Sequence, residues 1–339
     1  MMAKSTSSSL GAAPHCVQGA ITRLSPAKIN LFLHITGKRA DGYHDLQTVF
    51  RLLNWGDYLH FAPTDCTISL PAIDSNLSLQ QQASRLCAQL VTLTGAQHIT
   101  DNLADNLIIK AAHSLLMLAI KQQKLPKHLA HITITLDKRL PMGAGLGGGS
   151  SNAATTLLVL NEIWQLNFNQ DELIKLGATI GADVPIFIFG QDAIAMGIGD
   201  QLTAIDLPEQ RYLILTPDAH VNTAELFAHP KLQRDSTVLS IQTIQSEYDN
   251  YGQNLIMPYQ NVFTPVVTSL APAVAKALRY LQELEQQANS TARMTGSGST
   301  VFLSLDARVA SDKMLLAKWI ADAPCQGHVV GSLQVALSK

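Results

Sequence analysis

Pro141-Met142-Gly143-Ala144-Gly145-Leu146-Gly147-Gly148-Gly149-Ser150-Ser151, the glycine turn, has five glycines in the seven residues from 143 to 149. Glycine has no Cβ, so its backbone N–H groups approach a ligand closely and it adopts positive φ. Asn152 follows the two serines, where a helix is predicted to begin. A helix N-terminus favours an anion, and hydroxyls suit a phosphate oxygen or Mg²⁺. The turn predicts a triphosphate site; a flexible loop or a tight helix–strand crossing is the alternative.

The segments around the glycine turn have the periodicities of strands and helices. His131-Ile132-Thr133-Ile134-Thr135-Leu136 alternates as a strand does, and apolar residues from Ala153 to Trp164 suit a buried helix. A further turn of small residues, Thr295-Gly296-Ser297-Gly298-Ser299, precedes a strand-like segment over residues 301–305. This alternation of strands and helices predicts a mixed α/β architecture.

Two other glycine motifs compete for the same stretch. A Walker loop needs a lysine before its Ser or Thr, and Gly149 stands there instead, which excludes that motif. A dinucleotide fingerprint fits as Gly143-x-Gly145-x-x-Gly148, with Asp171 available for the ribose role. A dinucleotide-dependent oxidoreductase therefore stays open, although it leaves the two serines and Lys28 unexplained.

Composition limits the class of protein. The 339 residues, 47% hydrophobic and 15% charged, suit a folded chain with room for two domains of roughly 100–200 residues each. A net charge of −2 predicts no nucleic-acid partner, and no apolar run approaches the ~18–20 residues that span a membrane. Four widely spaced cysteines read as reduced thiols of a cytosolic protein: Cys16, Cys66, Cys87 and Cys325.

Three segments bear on the organisation of the chain. Residues 1–20 are rich in Ser, Ala and Gly, which predicts an unstructured tail, with an organelle transit peptide as the alternative. Residues 63–105 are polar and rich in glutamine, and Asp105 is the predicted N-cap of a helix running to Leu116. The Leu-Pro-Glu-Gln stretch after Asp206 favours a domain boundary there.

Outside the turns, a few residues are candidates for chemistry. Lys28 and Asn30 lie on one face of a predicted strand, where they suit an alkoxide or phosphoryl oxygen; a solvated strand-end lysine is the alternative. Asp183 stands between small and apolar residues, so it needs a cation such as Lys28 nearby, unless it caps a turn. The dipeptide Tyr43-His44 and Phe227 either stack on a base or simply pack.

Together the segment Pro26-Ala27-Lys28-Ile29-Asn30-Leu31 and the two turns resemble the GHMP kinase superfamily, and the likeness covers most of the chain from about residue 21. Within it, the sequence is most similar to the branch that phosphorylates cytidine diphosphate-linked methylerythritol. Six strings carry this closer resemblance: Lys28-Ile-Asn-Leu-Phe-Leu33, Arg39-Ala-Asp-Gly-Tyr-His44, Asp105-Asn-Leu-Ile108, Asp137-Lys-Arg-Leu-Pro-Met142, Gly147-Gly-Gly149 and Gly181-Ala-Asp-Val-Pro185.

The resemblance implies an α/β (α+β) two-domain GHMP kinase fold. An N-terminal α/β nucleotide-binding domain over residues 21–206 would be followed by a ferredoxin-like domain over residues 207–339. The implied activity transfers the γ-phosphoryl group of ATP, with Mg²⁺, to the 2-hydroxyl of the methylerythritol unit, in the methylerythritol phosphate route to isoprenoids. A bacterial, cytoplasmic enzyme with a small-molecule substrate is expected. A GHMP kinase of other specificity and a silent ligand-binding member are the alternatives.

The resemblance also implies roles for individual residues. Asp183 matches the catalytic aspartate and Lys28 the lysine beside it. Ala144 stands where many members have glycine, and Ser151 is taken as the residue on the Mg²⁺ side. The remaining assignments are Asn106 and Lys138 near the adenine, the glycine turn around the phosphates, and Asn30, Tyr43, His44, Thr223 and Phe227 around the cytidine diphosphate.

Overall fold

The computed structural model describes residues 19–69, 76–97, 99–100 and 102–334, without the side chains of residues 65 and 66. The prediction of an unstructured tail, with its transit-peptide alternative, therefore lies outside the described residues except for Gly19 and Ala20. In the described part of the chain, no helix combines the length and apolar character that crossing a membrane requires.

Six strands form the first sheet, in the spatial order β3-β4-β2-β5-β6 with β1 paired to β2. In chain order they are β1 Ile21–Lys38, β2 His44–Ser69, β3 Val91–Thr94, β4 His128–Asp137, β5 Ala193–Met196 and β6 Gln201–Ala204. Neighbouring strands are antiparallel except for β3 and β4. Since β2 pairs with β1, β4 and β5, it is the strand around which this sheet is organised.

Among the described residues, five helices and a 3₁₀ turn accompany the first sheet. They are α1 Leu79–Leu90, the 3₁₀ turn Leu103–Asp105, α2 Leu107–Lys121, α3 Gly148–Ile163, α4 Gln170–Ile180 and α5 Val184–Phe189. The predicted strand at β4 is confirmed, because Ile132 and Ile134 are buried while Thr135 is exposed. These isoleucines join one apolar cluster with α3 residues such as Leu157, and its removal from water stabilises the fold.

The second sheet has four antiparallel strands in the order β10-β7-β9-β8. Its strands are β7 Arg211–Thr216, β8 Arg293–Met294, β9 Val301–Leu305 and β10 Gln326–Gly331. The helices of this half are α6 Thr223–Ala228, α7 Ile241–Ser246, α8 Tyr248–Tyr251, α9 Thr264–Leu270, α10 Pro272–Ala288, α11 Ala307–Ser311 and α12 Lys313–Asp322. The mixed α/β architecture is confirmed; the division at residues 206 and 207, which falls between β6 and β7, stays a prediction.

Strand β1 is also in contact with the second half of the chain. Leu33 forms a β-bridge with Asn261, and the backbone N–H of Asn30 donates to Thr295 Oγ1 over 2.8 Å. The buried Arg293 guanidinium donates to the carbonyls of Leu31 and Tyr251, and burial lowers its pKa to about 10. Residues on β1 therefore lie where both halves of the chain supply neighbours.

The prediction that Asp105 caps a helix is wrong. Asp105 ends the 3₁₀ turn, and Asn106 is the N-cap of α2 because its backbone is extended there and its Oδ1 accepts from the Ile108 amide over 3.0 Å. The Asp105 carboxylate instead lies 3.4 Å from the Lys110 ammonium.

The glutamine-rich stretch of residues 63–105 contains structure that its composition hides. Helix α1 begins with a capping box formed by Ser78 and Gln81, and strand β3 follows it. Its apolar contacts come from residues spaced three and four apart, which form one buried face: Ala83, Leu86, Cys87 and Leu90. The glutamines lie elsewhere on the helix, so a polar composition coexists with an amphipathic pattern.

Candidate active site

The glycine turn joins β4 to α3, as predicted. Helix α3 begins at Gly148, and Gly147 before it has φ of +74°, which favours glycine over any residue with a Cβ. The turn carries no side-chain cap at this end, so the first N–H groups of α3 are directed toward the turn. Ala144, where many superfamily members have glycine, is buried and lies outside the positive-φ positions.

The turn of small residues 295–299, the second turn, packs against the glycine turn through backbone atoms. A Cβ on Gly145 would lie 2.8 Å from the Gly298 carbonyl oxygen and 3.0 Å from that of Thr295. The Ala144 carbonyl accepts from the Thr300 amide over 3.1 Å. The two turns, which are far apart in the sequence, therefore form one joint.

A cavity of about 350 Å³ lies over the glycine turn. Its lining residues from outside the turn are Ile99, Thr100, Asp105, Asn106, Leu107, Leu136, Lys138 and Asn152. Asn106 and Lys138, which the resemblance places near the adenine, both line this cavity. The structure thus brings together the residues expected around ATP except Ser151, which does not line this cavity.

Lys28 lies at the edge of the same turn. Its backbone N–H donates to the Leu146 carbonyl over 3.0 Å, and its side chain is 4% exposed. The ammonium donates to Asn30 Oδ1 over 2.9 Å, which confirms that the two side chains share one face of β1. A solvated strand-end lysine is therefore the wrong interpretation.

Asp183 precedes α5 and faces Lys28. The distance from Lys28 Nζ to Asp183 Oδ2 is 3.4 Å, and the carboxylate is 34% exposed. Within the described chain this side chain makes no capping hydrogen bond to α5, so the turn-cap interpretation is wrong. A buried ammonium next to a partly open carboxylate can bind a hydroxyl and a phosphoryl oxygen together.

Residues of the second turn complete the surroundings of Lys28. Thr295 Oγ1 accepts from the backbone N–H of Asn30 and donates to the side-chain Oδ1 of Asn30 over 3.3 Å. Asn261 Nδ2 donates to the Gly296 carbonyl over 2.9 Å, and the Lys28 ammonium lies 3.4 Å from the position of a Cβ on Gly296. All three motifs of the resemblance therefore meet at Lys28.

The aromatic residues lie next to the second turn. His44 stacks on Phe227 with ring centroids 4.9 Å apart, and Tyr43 is 64% exposed. The Thr223 hydroxyl is 3.3 Å from that of Ser297, which links α6 to the second turn. His44 and Phe227 thus pack on each other, and the exposed Tyr43 directly precedes His44 in the chain.

The hydroxyls of the two serines differ in their surroundings. Ser151 is fully buried, its Oγ has no hydrogen-bond partner in the described chain, and it does not line the cavity. Ser150 does line the cavity, and its Oγ lies 3.6 Å from the position of a Cβ on Gly181, two residues before Asp183. The metal role of Ser151 stays a prediction, and Ser150 is the serine that lines the cavity.

The dinucleotide interpretation is wrong. Asp171 lies in the first turn of α4, which follows α3 directly, whereas the fingerprint needs its acidic residue after a strand parallel to the first. Strand β5 is the next strand after α4, and it pairs antiparallel with β2.

Two residues at the site lie outside every motif quoted from the sequence. Asp57 on β2 is fully buried, and its carboxylate accepts from Lys138 and Asn152. His220 places its Nδ1 3.0 Å from the position of a Cβ on Gly143. The sequence signal for Asp57 is that an acidic residue stands within the apolar pattern of β2. No comparable signal marks His220.

Comparison with known proteins adds independent findings. The family described as GHMP kinases N terminal domain matches residues 106–191. A protein of Psychrobacter arcticus named 4-diphosphocytidyl-2-C-methyl-D-erythritol kinase is 71% identical, covering 92% of this chain and 97% of its own. One of the same name from Acinetobacter baylyi is 40% identical, covering 91% and 94%.

Solved structures agree with these sequence relatives. A crystal structure of 4-(cytidine 5'-diphospho)-2C-methyl-D-erythritol kinase is 27% identical with a TM-score of 0.66, covering 93% of this chain and all of the other. Mevalonate kinase of Methanococcus jannaschii is 14% identical with a TM-score of 0.56, covering 95% of this chain and 100% of its own. The second likeness shows the fold alone.

Proposed function

This chain belongs to the family of 4-diphosphocytidyl-2-C-methyl-D-erythritol kinases, and we infer that it transfers the γ-phosphoryl group of ATP to the 2-hydroxyl of that alcohol. The reaction is a step of the methylerythritol phosphate route to isoprenoids. The observation that carries this function in the structure is the ion pair of Lys28 and Asp183 beside the glycine turn.

The geometry suits a reaction that depends on position and charge. Phosphoryl transfer leaves little covalent chemistry for the protein, which mainly aligns the groups and stabilises negative charge. A carboxylate is a weak base at neutral pH, so Asp183 orients the hydroxyl and accepts its proton as the oxygen–phosphorus bond forms. The Lys28 ammonium stabilises the charge on the transferred group and holds the carboxylate in place.

We assign ATP to the cavity over the glycine turn. The N–H groups at the start of α3 face the turn, where a helix N-terminus favours phosphate. Asn106 and Lys138 lie on the same lining and are assigned to the adenine end. This arrangement directs the γ-phosphoryl group toward Lys28 at the edge of the turn.

The residues in and beside the glycine turn also fit Mg²⁺. Magnesium binds through one or two carboxylates and the substrate phosphates, and keeps several waters. The available donors are the Ser150 hydroxyl, which lines the cavity, and the partly exposed Asp183 carboxylate, which lies outside that lining; Ser151 has an unpartnered hydroxyl in the described chain. When bound, the ion would neutralise phosphate charge; among described residues no group of three or more His, Cys, Asp or Glu could hold a metal alone.

The acceptor alcohol is assigned to the side of the second turn. In the second turn, Thr295 contacts Asn30 and Ser297 contacts Thr223. Helix α6, which begins at Thr223, also contains Phe227, whose ring stacks on His44. Amides and hydroxyls suit a diphosphate-linked polyol, and the exposed Tyr43 together with the His44–Phe227 pair suits a pyrimidine base. The bacterial relatives and the scattered cysteines support a cytoplasmic location as part of this proposal.

The direct test is release of ADP by the purified protein with ATP, Mg²⁺ and the diphosphocytidyl alcohol, followed by a coupled assay. Turnover of this alcohol, with mevalonate and homoserine inert, is the expected result. Turnover of mevalonate or homoserine in its place would assign another GHMP kinase specificity. No ADP above the blank with any of the three alcohols would contradict kinase function altogether.

Acidic pH is expected to weaken binding of the cytidyl substrate through His44. Burial, with the nearby charges of Arg234 and Lys38, lowers the pKa of His44 below its usual 6.5, so the ring is neutral at pH 7. If the neutral ring is the binding form, KM for the alcohol is constant above that pKa and rises about tenfold per pH unit below it. Initial rates at varied alcohol concentration between pH 8 and 5 measure this effect.

The matched control is His44→Gln, which cannot be protonated in this range. Its KM for the alcohol should be higher at pH 7 and flat toward acid, while KM for ATP keeps the same pH profile as in the parent. An unchanged acid rise of the alcohol KM in His44→Gln would assign the titration to another group.

A further inference from the structure

Asp57 is a buried aspartate near the site, and its carboxylate accepts four hydrogen bonds. It lies on β2 with no exposed surface. Its Oδ1 accepts from the backbone N–H groups of Arg139 and Leu140, each over 2.8 Å. Its Oδ2 accepts from the Lys138 ammonium over 2.8 Å and from Asn152 Nδ2 over 3.0 Å. A buried charge is costly unless it is paired and hydrogen-bonded, and here both oxygens are satisfied.

These donors stand at the two ends of the glycine turn. Leu140 immediately precedes the turn, and Asn152 immediately follows it, in the first part of α3. A segment with five glycines has a large conformational entropy to lose when it adopts one shape. Because one carboxylate contacts both ends, Asp57 fixes the span that the turn must close.

Asp57 also fixes the position of Lys138. The Lys138 side chain is 20% exposed and lines the cavity assigned to ATP. Its ammonium lies 3.3 Å from the position of a Cβ on Gly148, the first residue of α3. The contact with Asp57 therefore holds a cation beside the helix N-terminus before any ligand arrives.

We propose that Asp57 is a positioning residue for ATP: its buried carboxylate joins the two ends of the glycine turn and orients Lys138 toward the nucleotide. The proposal rests on the assignment of ATP to this cavity. Asp57 has no surface toward the cavity, so it acts through Lys138, Asn152 and the turn. The acceptor side, built on Asn30 and the second turn, makes no contact with this carboxylate.

The substitution Asp57→Asn tests this role because it keeps the size of the side chain. The carbonyl oxygen of the introduced amide can still accept from Arg139 and Leu140, but its NH₂ group then faces two other donors, on Lys138 and Asn152. We expect KM for ATP, and the dissociation constant of a fluorescent ATP analogue without alcohol, to rise about tenfold or more. KM for the alcohol should stay within about twofold, since the acceptor side is built separately.

Exchanging the two partners provides a rescue. In the double variant Asp57→Asn and Asn152→Asp, the carboxylate moves to the α3 side, where it accepts from the amide introduced on β2 and stays beside Lys138. The affinity of the double variant for the ATP analogue should return most of the way to that of the parent protein. The matched control is Asp192→Asn, a partly buried carboxylate that is bonded to β2 through Arg51 and the Leu52 backbone N–H. This variant should have a lower melting temperature and an unchanged affinity for ATP.

Several results would overturn the proposal. They are an unchanged affinity of Asp57→Asn for ATP, a parallel rise of both KM values, or a double variant that binds no better than the single one. If Asp57→Asn does not fold, Asn152→Ala removes one of the bonds, and it must still raise KM for ATP alone. Analogue binding is measured without alcohol, so a parent protein that binds the analogue but lacks turnover contradicts the assigned substrate and leaves this proposal standing.

Discussion

Asp183→Asn is expected to lower kcat by about 10²–10⁴-fold, the range that a positioned acid–base group contributes. The amide keeps the shape of the side chain but cannot accept the hydroxyl proton, and it loses the attraction to Lys28 across 3.4 Å. The dissociation constant of ATP measured without Mg²⁺ should change little, because the glycine turn and its cavity are formed by other residues. Steady-state rates at saturating ATP and alcohol, with separate nucleotide binding, measure both quantities.

Asp171→Asn is the matched control for Asp183→Asn. Asp171 is an exposed aspartate at the start of α4, and its substitution should leave kcat within about twofold, as surface changes usually do. A kcat for Asp183→Asn near that of the parent would remove Asp183 from the chemical step, and would leave charge stabilisation by Lys28 and the turn as the whole mechanism.

Lys28→Met is expected to cost about 10²–10³-fold in kcat, comparable to the loss of one charge-stabilising donor at a developing anion. Methionine has a similar length, so β1 and the glycine turn keep their packing, but the ammonium that joins Asn30 and Asp183 is gone. Removing one member of a buried ion pair is normally destabilising, but the Asp183 side chain is 34% exposed and stays hydrated, so the melting temperature should change little. Loss of activity in a protein of unchanged stability identifies a functional lysine.

Lys110→Met is the corresponding control, since Lys110 is an exposed lysine of α2 paired only with the exposed Asp105 among described residues. Its kcat should match that of the parent. A Lys28→Met protein that loses activity only because it unfolds would show a lowered melting temperature, and that result would contradict a direct role of the ammonium.

Local patterns predict much of the site. The glycine run favours positive φ, the apolar spacing after it predicts a helix, and the alternation over residues 131–136 predicts a strand. The order strand, turn and helix therefore follows from short-range patterns. The period of two along β1 likewise places Lys28 and Asn30 together, and the observed 2.9 Å contact confirms it. These predictions need neighbours only a few residues away.

Long-range partners are what the sequence does not reveal. Asp57 meets Lys138 and Asn152 only because β2 pairs with β4 in one particular register, in which Tyr58 lies opposite Asp137. The same limit applies to His220, which reaches Gly143 from the segment after β7. Helix α1 is a different case, because its capping box and buried face are local, and the glutamines of its other face obscured them.

The joint between the two turns is made of main-chain atoms, with Gly145 against the carbonyls of Thr295 and Gly298. A contact of this kind constrains two glycines and leaves the side chains proposed to face the acceptor free to vary. Mutational drift in Tyr43, His44 or Phe227 can therefore alter which alcohol is accepted without disturbing the half of the site assigned to the donor. Such a division favours the evolution of new acceptor preferences on an unchanged scaffold.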